Sequence, residues 1–288
     1  MATKKTSTIG RFCIVEEVGR GGMGIMYKAT DLDTGMLVAV KIGKPSNNAT
    51  LRREAELMKR FNHPSLLNVL ADGECRRAYF FVTPFMPGGS LQDQLNQKRS
   101  FSVLRALPII YRIAGALDYI HNKGVIHRDV KPSNIVFDDN GLAYLTDFDV
   151  ALVLAEEHIE EVSAAGTPLY MSSEAVLAHE TVDRRTDVYS LGVVLYQMLT
   201  TIHPLRGRNI GDILSCIIYW DPLPLRFLNP KIPKAVEDVV LKAIEKPTSR
   251  RYQSAGEFAL ALETASKETL TEEVLSFQGL CTGADPEE

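Results

Sequence analysis

Apolar and polar residues alternate along the first third of the chain in short runs broken by glycine and aspartate. Phe12, Ile14 and Val18 predict a first strand, residues 19–24 a glycine-dense turn, and Met26-Tyr27 the start of a second strand. Asp33-Thr34-Gly35 predicts a turn before a third strand at 37–42. Between Thr50 and Phe61 the period changes. Leu51, Ala55, Leu57 and Met58 recur at helical spacing among charges, which predicts one helix among the strands. Residues 69–70 and 79–82 complete a small sheet, so this part ends near Met86.

Helical periodicity dominates from Gly88 onward. Ile109, Ile110, Ile113, Leu117 and Ile120 trace one face, and Pro108 predicts a helix start or a kink close to it. Residues 187–199 are apolar nearly all round, as in a helix buried in a larger core. Further helices are predicted over 210–218, 234–244 and 255–264, and the acidic residues after them read as a frayed end. Strands first and helices afterwards predict an α+β class.

Composition narrows the function classes. The 288 residues are 45% hydrophobic and 24% charged, which is globular and not disordered. A net charge of −4 argues against general nucleic-acid binding. Cys13, Cys75, Cys216 and Cys281 are far apart, which excludes a local zinc knuckle and predicts free thiols in a reducing cytoplasm. No signal-like segment follows the first lysines, and no apolar run approaches the roughly 18 residues of a membrane span. A soluble cytoplasmic protein is expected; the pattern leaves its oligomeric state open.

The most specific stretch is residues 127–134, His-Arg-Asp-Val-Lys-Pro-Ser-Asn. It sets a carboxylate, an ammonium and an amide oxygen on one short loop, the side chains that phosphoryl transfer needs. Gly19, Gly21 and Gly24 fit G-x-G-x-x-G, which a dinucleotide-binding turn would follow with a helix. Here Met26 and then Val38-Ala39-Val40-Lys41 continue as strand. With Asp-Phe-Asp at 147–149, Gly-Thr-Pro-Leu-Tyr-Met at 166–171 and Asp-Val-Tyr-Ser-Leu-Gly at 187–192, the chain resembles the eukaryotic-like serine/threonine protein kinases of bacteria. The likeness covers about residues 11–264.

That resemblance implies a two-lobe protein-kinase fold, with a β-rich lobe over about 11–86 and a mainly helical lobe over about 87–264. Residues 1–10 would be a flexible leader and 265–288 a tail. It also implies ATP, Mg²⁺ (Mn²⁺ as the alternative ion) and protein Ser/Thr hydroxyls as the reacting partners. Val18, Gly19, Gly21, Gly22, Gly24, Met26, Ala39, Thr83, Pro84, Met86 and Val136 would line the nucleotide site. Pro84 lacks an N–H but would offer only its carbonyl, the donor coming from Met86. Lys41 would hold the α- and β-phosphates. Its partner would be Glu54; the competing Glu56 lies about 200° away around the helix. Asp129 would orient the hydroxyl and accept its proton, Lys131 would neutralise the γ-phosphate, and Asn134 and Asp147 would bind the metal. Asp187 would hold the catalytic loop's backbone.

Two departures stand out. Asp149 replaces the family's glycine, and its tolerance of positive φ would keep that loop intact. Ser173 replaces proline before Glu174, whose expected partner is Arg250 or Arg251. These departures sustain an alternative, a nucleotide-binding pseudokinase acting as a scaffold or allosteric partner. The resemblance also implies regulation: Ser163 would carry an activating phosphate bound by Arg128, and Thr167 would touch Asp129. With Ser90 and Ser133 where arginine-selecting kinases place acids, weak or no preference for a basic residue at the upstream −3 position is expected.

Overall fold

The computed structural model describes residues 7–22, 24–97, 100–154, 168–177 and 182–281. The chain divides into two compact units, Met1–Leu91 with Ser133–Ala151, and Gln92–Pro132 with Leu152–Glu288.

The first unit is built on a six-stranded antiparallel sheet. Its strands are β1 (Thr8–Ile9), β2 (Phe12–Arg20), β3 (Gly24–Asp31), β4 (Leu37–Gly43), β5 (Ala71–Cys75) and β6 (Ala78–Pro84), in the order β1-β2-β3-β4-β6-β5. Residues 8–9 are therefore not part of a loose leader. Ile9 packs with Phe12, Ala29, Val38, Val40, Phe80 and Val82, and that burial fixes the short strand. β5 begins two residues later than the apolar pair Val69-Leu70 predicts, although the Leu70 N–H already donates to Val82 O at 2.7 Å. Helix α1 (Asn48–Lys59) buries Leu51, Glu54, Ala55, Leu57 and Met58. A small hairpin, Ile135–Phe137 against Ala143–Leu145, belongs to the same unit.

Helices build the second unit. From Leu91 the chain forms α2 (Leu91–Asn96), α3 (Val103–His121), α4 (Ser173–Val176), α5 (Arg185–Thr200), α6 (Ile210–Tyr219), α7 (Leu225–Leu228), α8 (Lys234–Ala243) and α9 (Ala255–Cys281). α3 starts at a Ser102 cap, whose side chain accepts the Arg105 N–H, so Pro108 lies inside the helix and does not start it. Its missing N–H would have bonded the carbonyl of Leu104, a residue on the exposed face. Every residue of α5 except Arg185 and Gln197 is buried. Gly192 allows this: a Cβ there would come within 2.8 Å of Ala243 and Ile244. α9 runs on to Cys281, past the expected end at Thr264. Among the described residues, no helix is long and apolar enough to cross a membrane.

Candidate functional site

In the first unit, β2 and β3 meet at the glycine turn, where the Gly21 N–H donates to Gly24 O at 2.9 Å. A Cβ on Gly24 would lie 2.1 Å from Ile42 O, so only glycine lets the turn sit this close to β4. Val18, beside the turn, is exposed. Lys41 sits in mid-sheet, paired with Met26 on one side and Phe81 on the other. Its Nζ lies 2.9 and 2.8 Å from the Glu54 oxygens and 2.8 Å from Asp147 Oδ1. Glu54 is buried and Glu56 exposed, which resolves the competition between them as the helical spacing indicated.

One ammonium thus serves two carboxylates. Burial pushes the Glu54 carboxyl up to about 7 against the pull of Lys41, with Asp147 and Asp149 adding to the rise. Burial also works against the charge of Lys41, but Asp147 and Glu54 outweigh it and hold the ammonium above its usual range. The lysine stays charged. Glu54 carries the strain.

At the far edge of β4, Ala39 pairs with Thr83 and Val38 with Pro84, and the Phe85 N–H donates to Leu37 O at 3.3 Å. Thr83 is buried, and the Gly89 N–H closes a turn onto Met86 O at 3.3 Å. Val136 is half-buried on the small hairpin, opposite Tyr144, and bridges to Ser90. That hairpin also brings two oxygen donors together. Ile135 pairs with Leu145, and the Thr146 N–H donates to Asn134 O at 3.0 Å, so Asn134 and Asp147 come to the same end. An amide oxygen and a carboxylate are each of the type that a hard divalent cation accepts as a ligand.

Asp147 itself adopts the left-handed conformation, φ 70°, and Asp149 does not. This corrects the expectation that residue 149 must tolerate positive φ. The backbone turns two residues earlier, beside the Lys41 contact. Phe148 is buried against Phe61, ring centroids 5.3 Å apart.

In the second unit, the loop at 127–132 hangs from one carboxylate. Asp187, at the start of α5 and fully buried, accepts the His127 N–H at 2.9 Å and the Arg128 N–H at 2.8 Å. His121 Nε2 lies 2.7 Å from the same carboxylate. Burial raises the Asp187 carboxyl, but the His121 hydrogen bond and the neighbouring His127 more than reverse this, leaving it below the usual range. Arg128 is left-handed, φ 66°, a strain that the Asp187 anchor sustains. Asp129 follows at once, with Lys131 Nζ 2.6 Å from its Oδ2 and both side chains about one-fifth exposed.

A family model described as the protein kinase domain matches residues 12–256. The chain belongs to the protein kinase family. It is 34% identical over 265 residues to a probable serine/threonine-protein kinase of Clostridium perfringens, covering 90% of this chain and 38% of that protein. It is 33% identical over 267 residues to the serine/threonine-protein kinase PknD of Mycobacterium tuberculosis, covering 90% and 40%. Against a probable serine/threonine-protein kinase PknB of Lactococcus lactis the figures are 32% over 266 residues, 89% and 42%. The chain spans about two fifths of the length of these curated relatives.

Within this kinase domain, the choice between Arg250 and Arg251 falls to Arg251. Its guanidinium is fully buried and meets Glu174 twice, at 2.7 and 2.8 Å, while Arg250 is exposed. Ser173, in place of proline, is buried and leaves the pair intact. Ser163, Gly166 and Thr167 lie outside the described residues. Sequence reasoning missed His121. A histidine closing a predicted helix six residues before His127 was the available signal, but nothing local shows that it reaches Asp187.

Proposed function

We propose that this kinase domain transfers the γ-phosphoryl group of ATP to serine or threonine hydroxyls of proteins. The observation that carries the reading is the Lys41 ammonium, held by Glu54 and Asp147 beside a glycine turn that only Gly24 can close. On this reading the turn residues Gly19, Gly21, Gly22 and Gly24 approach the phosphates and Lys41 holds them. Val18, Met26, Ala39, Thr83, Pro84, Met86 and Val136 enclose the base. Asp129 orients the acceptor hydroxyl and takes its proton as the new O–P bond forms and the bond to ADP breaks. Lys131 offsets charge on the phosphoryl group. Catalysis of this kind comes from positioning and charge stabilisation.

The metal of this reading is magnesium, with manganese as the alternative ion. Asn134 and Asp147 would hold it, and when bound it would neutralise phosphate charge. Regulation belongs to the same reading, with a phosphate on Ser163 paired by Arg128 and an inhibitory one on Thr167. The half-buried free thiols of Cys13, Cys75 and Cys216 fit a reducing cytoplasm.

The test is a radiolabelled ATP assay with Mg²⁺ and a generic protein acceptor. Asp129→Asn should lower turnover by roughly 10²–10⁴-fold, the scale of general-base catalysis, with ATP affinity nearly intact. Near-wild-type turnover in Asp129→Asn would remove the catalytic assignment.

A further inference from the structure

Asn47 stands immediately before α1, where an asparagine side chain usually accepts the helix's own N–H groups, but it makes no such bond. Its Nδ2 donates instead to Gly22 O at 3.1 Å, in the glycine turn. Its Oδ1 accepts the neighbouring Ser46 hydroxyl at 3.1 Å, which fixes the end of the amide that faces Gly22. The turn needs such a hold. Gly24 is pressed against β4, but a Cβ on Gly21 or Gly22 would meet nothing within 4 Å, so both positions face open space. Glycine has the most backbone freedom to lose when a ligand orders it, and here two are adjacent. α1, the helix that Asn47 precedes, carries Glu54, the partner of Lys41.

We infer that Asn47 is a positioning residue: its side-chain amide ties the glycine turn to the start of α1, so that the turn is already ordered when nucleotide phosphates arrive. The inference rests on the kinase reading above and adds to it a residue that touches neither nucleotide nor metal. Ordering before binding removes part of the entropic cost of binding, so the tether acts on ATP affinity and not on the phosphoryl-transfer step.

Asn47→Ala and Asn47→Asp in the full chain test it. The aspartate keeps the acceptor for Ser46 but has no hydrogen to donate, so both variants should behave alike. KM for ATP should rise about three- to tenfold, the worth of one hydrogen bond, with kcat within about twofold. Amide hydrogen exchange over residues 19–24 should quicken in the nucleotide-free protein. Asn47→Gln should recover part of the ATP affinity. A helix-start defect would instead lower Tm and kcat together. Unchanged exchange and unchanged KM in both variants overturn the inference. A wild type that binds no ATP defeats the kinase reading itself, whereas normal ATP affinity in Asn47→Ala defeats only the tether.

Discussion

Replacing Arg251 with alanine should unfold the helical unit more readily than any neighbouring surface change. The guanidinium makes two bonds to Glu174 and donates to three backbone carbonyls, Glu245 O at 2.6 Å, Lys246 O at 2.8 Å and Arg185 O at 3.2 Å. It also lies 4.9 Å from the centroid of the Tyr189 ring. Removing it leaves a buried carboxylate without its guanidinium, held by hydroxyls such as that of Thr186, 2.9 Å away. Breaking a buried ion pair from one side costs about 3–5 kcal/mol. For a unit of this size that is a fall in Tm of about 10 °C. Arg250→Ala, one residue away and exposed, should stay within about 0.5 kcal/mol.

The pH dependence sharpens the test. In the wild type, burial raises the Glu174 carboxyl, but the hydrogen bond and charge of Arg251 bring it below its ordinary value. A depressed carboxylate contributes stability that is present above its unfolded value of about 4.3 and is lost as pH falls through the folded value. Without Arg251, burial is opposed by hydrogen bonds from neutral groups such as Ser172, and the carboxyl moves up. The penalty should then be largest at neutral pH and shrink as Glu174 takes a proton. Urea unfolding followed by circular dichroism at pH 7 and pH 5 measures both gaps. Equal effects from Arg250→Ala and Arg251→Ala, or a gap that widens toward acid, would refute the reasoning.

Three further outcomes are expected. In the nucleotide-free protein, Glu54 should titrate near 7 by carboxyl carbon NMR, and Lys41→Met should move the midpoint higher still, because burial then lacks its counterweight. With a folded value above the unfolded one, this carboxyl stabilises the fold below about pH 4, and the contribution is lost as pH rises through 7; a midpoint under 5 would contradict it. Arg76 and Arg77 form a two-residue hairpin loop with φ 49° and 68°, so Arg76→Asn with Arg77→Gly should stabilise the protein by roughly 1 kcal/mol in urea unfolding, and a loss would count against the strain. Asp149→Gly should change turnover only a few fold, since Asp149 does not occupy the left-handed position; an inactive wild type switched on by it would favour a pseudokinase.

The elements of this chain were legible because burial imposes a period on sequence. The strands through Ile42, the helix carrying Glu54 and the all-round apolar α5 each repeat apolar residues at the spacing that their core face requires. The preference for Glu54 over Glu56 follows from the same geometry, since only one of two residues about 200° apart can face the sheet. Short polar motifs carried the candidate chemistry, because phosphoryl transfer needs particular side chains on one loop.

Contacts between residues distant in sequence have no such signature. Glu174 meets Arg251 and not Arg250 because burial selects one of two adjacent guanidiniums, a choice made by the packing around α5. His121 joins Asp187 across 66 positions, and Asn47 reaches Gly22 across 25. The left-handed turn falls at Asp147, which meets Lys41, a residue 106 positions away, and precedes the buried Phe148. Periodicity determines which face a residue presents. Which partner it then meets is decided only when separate elements pack, because a hydrogen bond or ion pair depends on positions in space that no local spacing encodes.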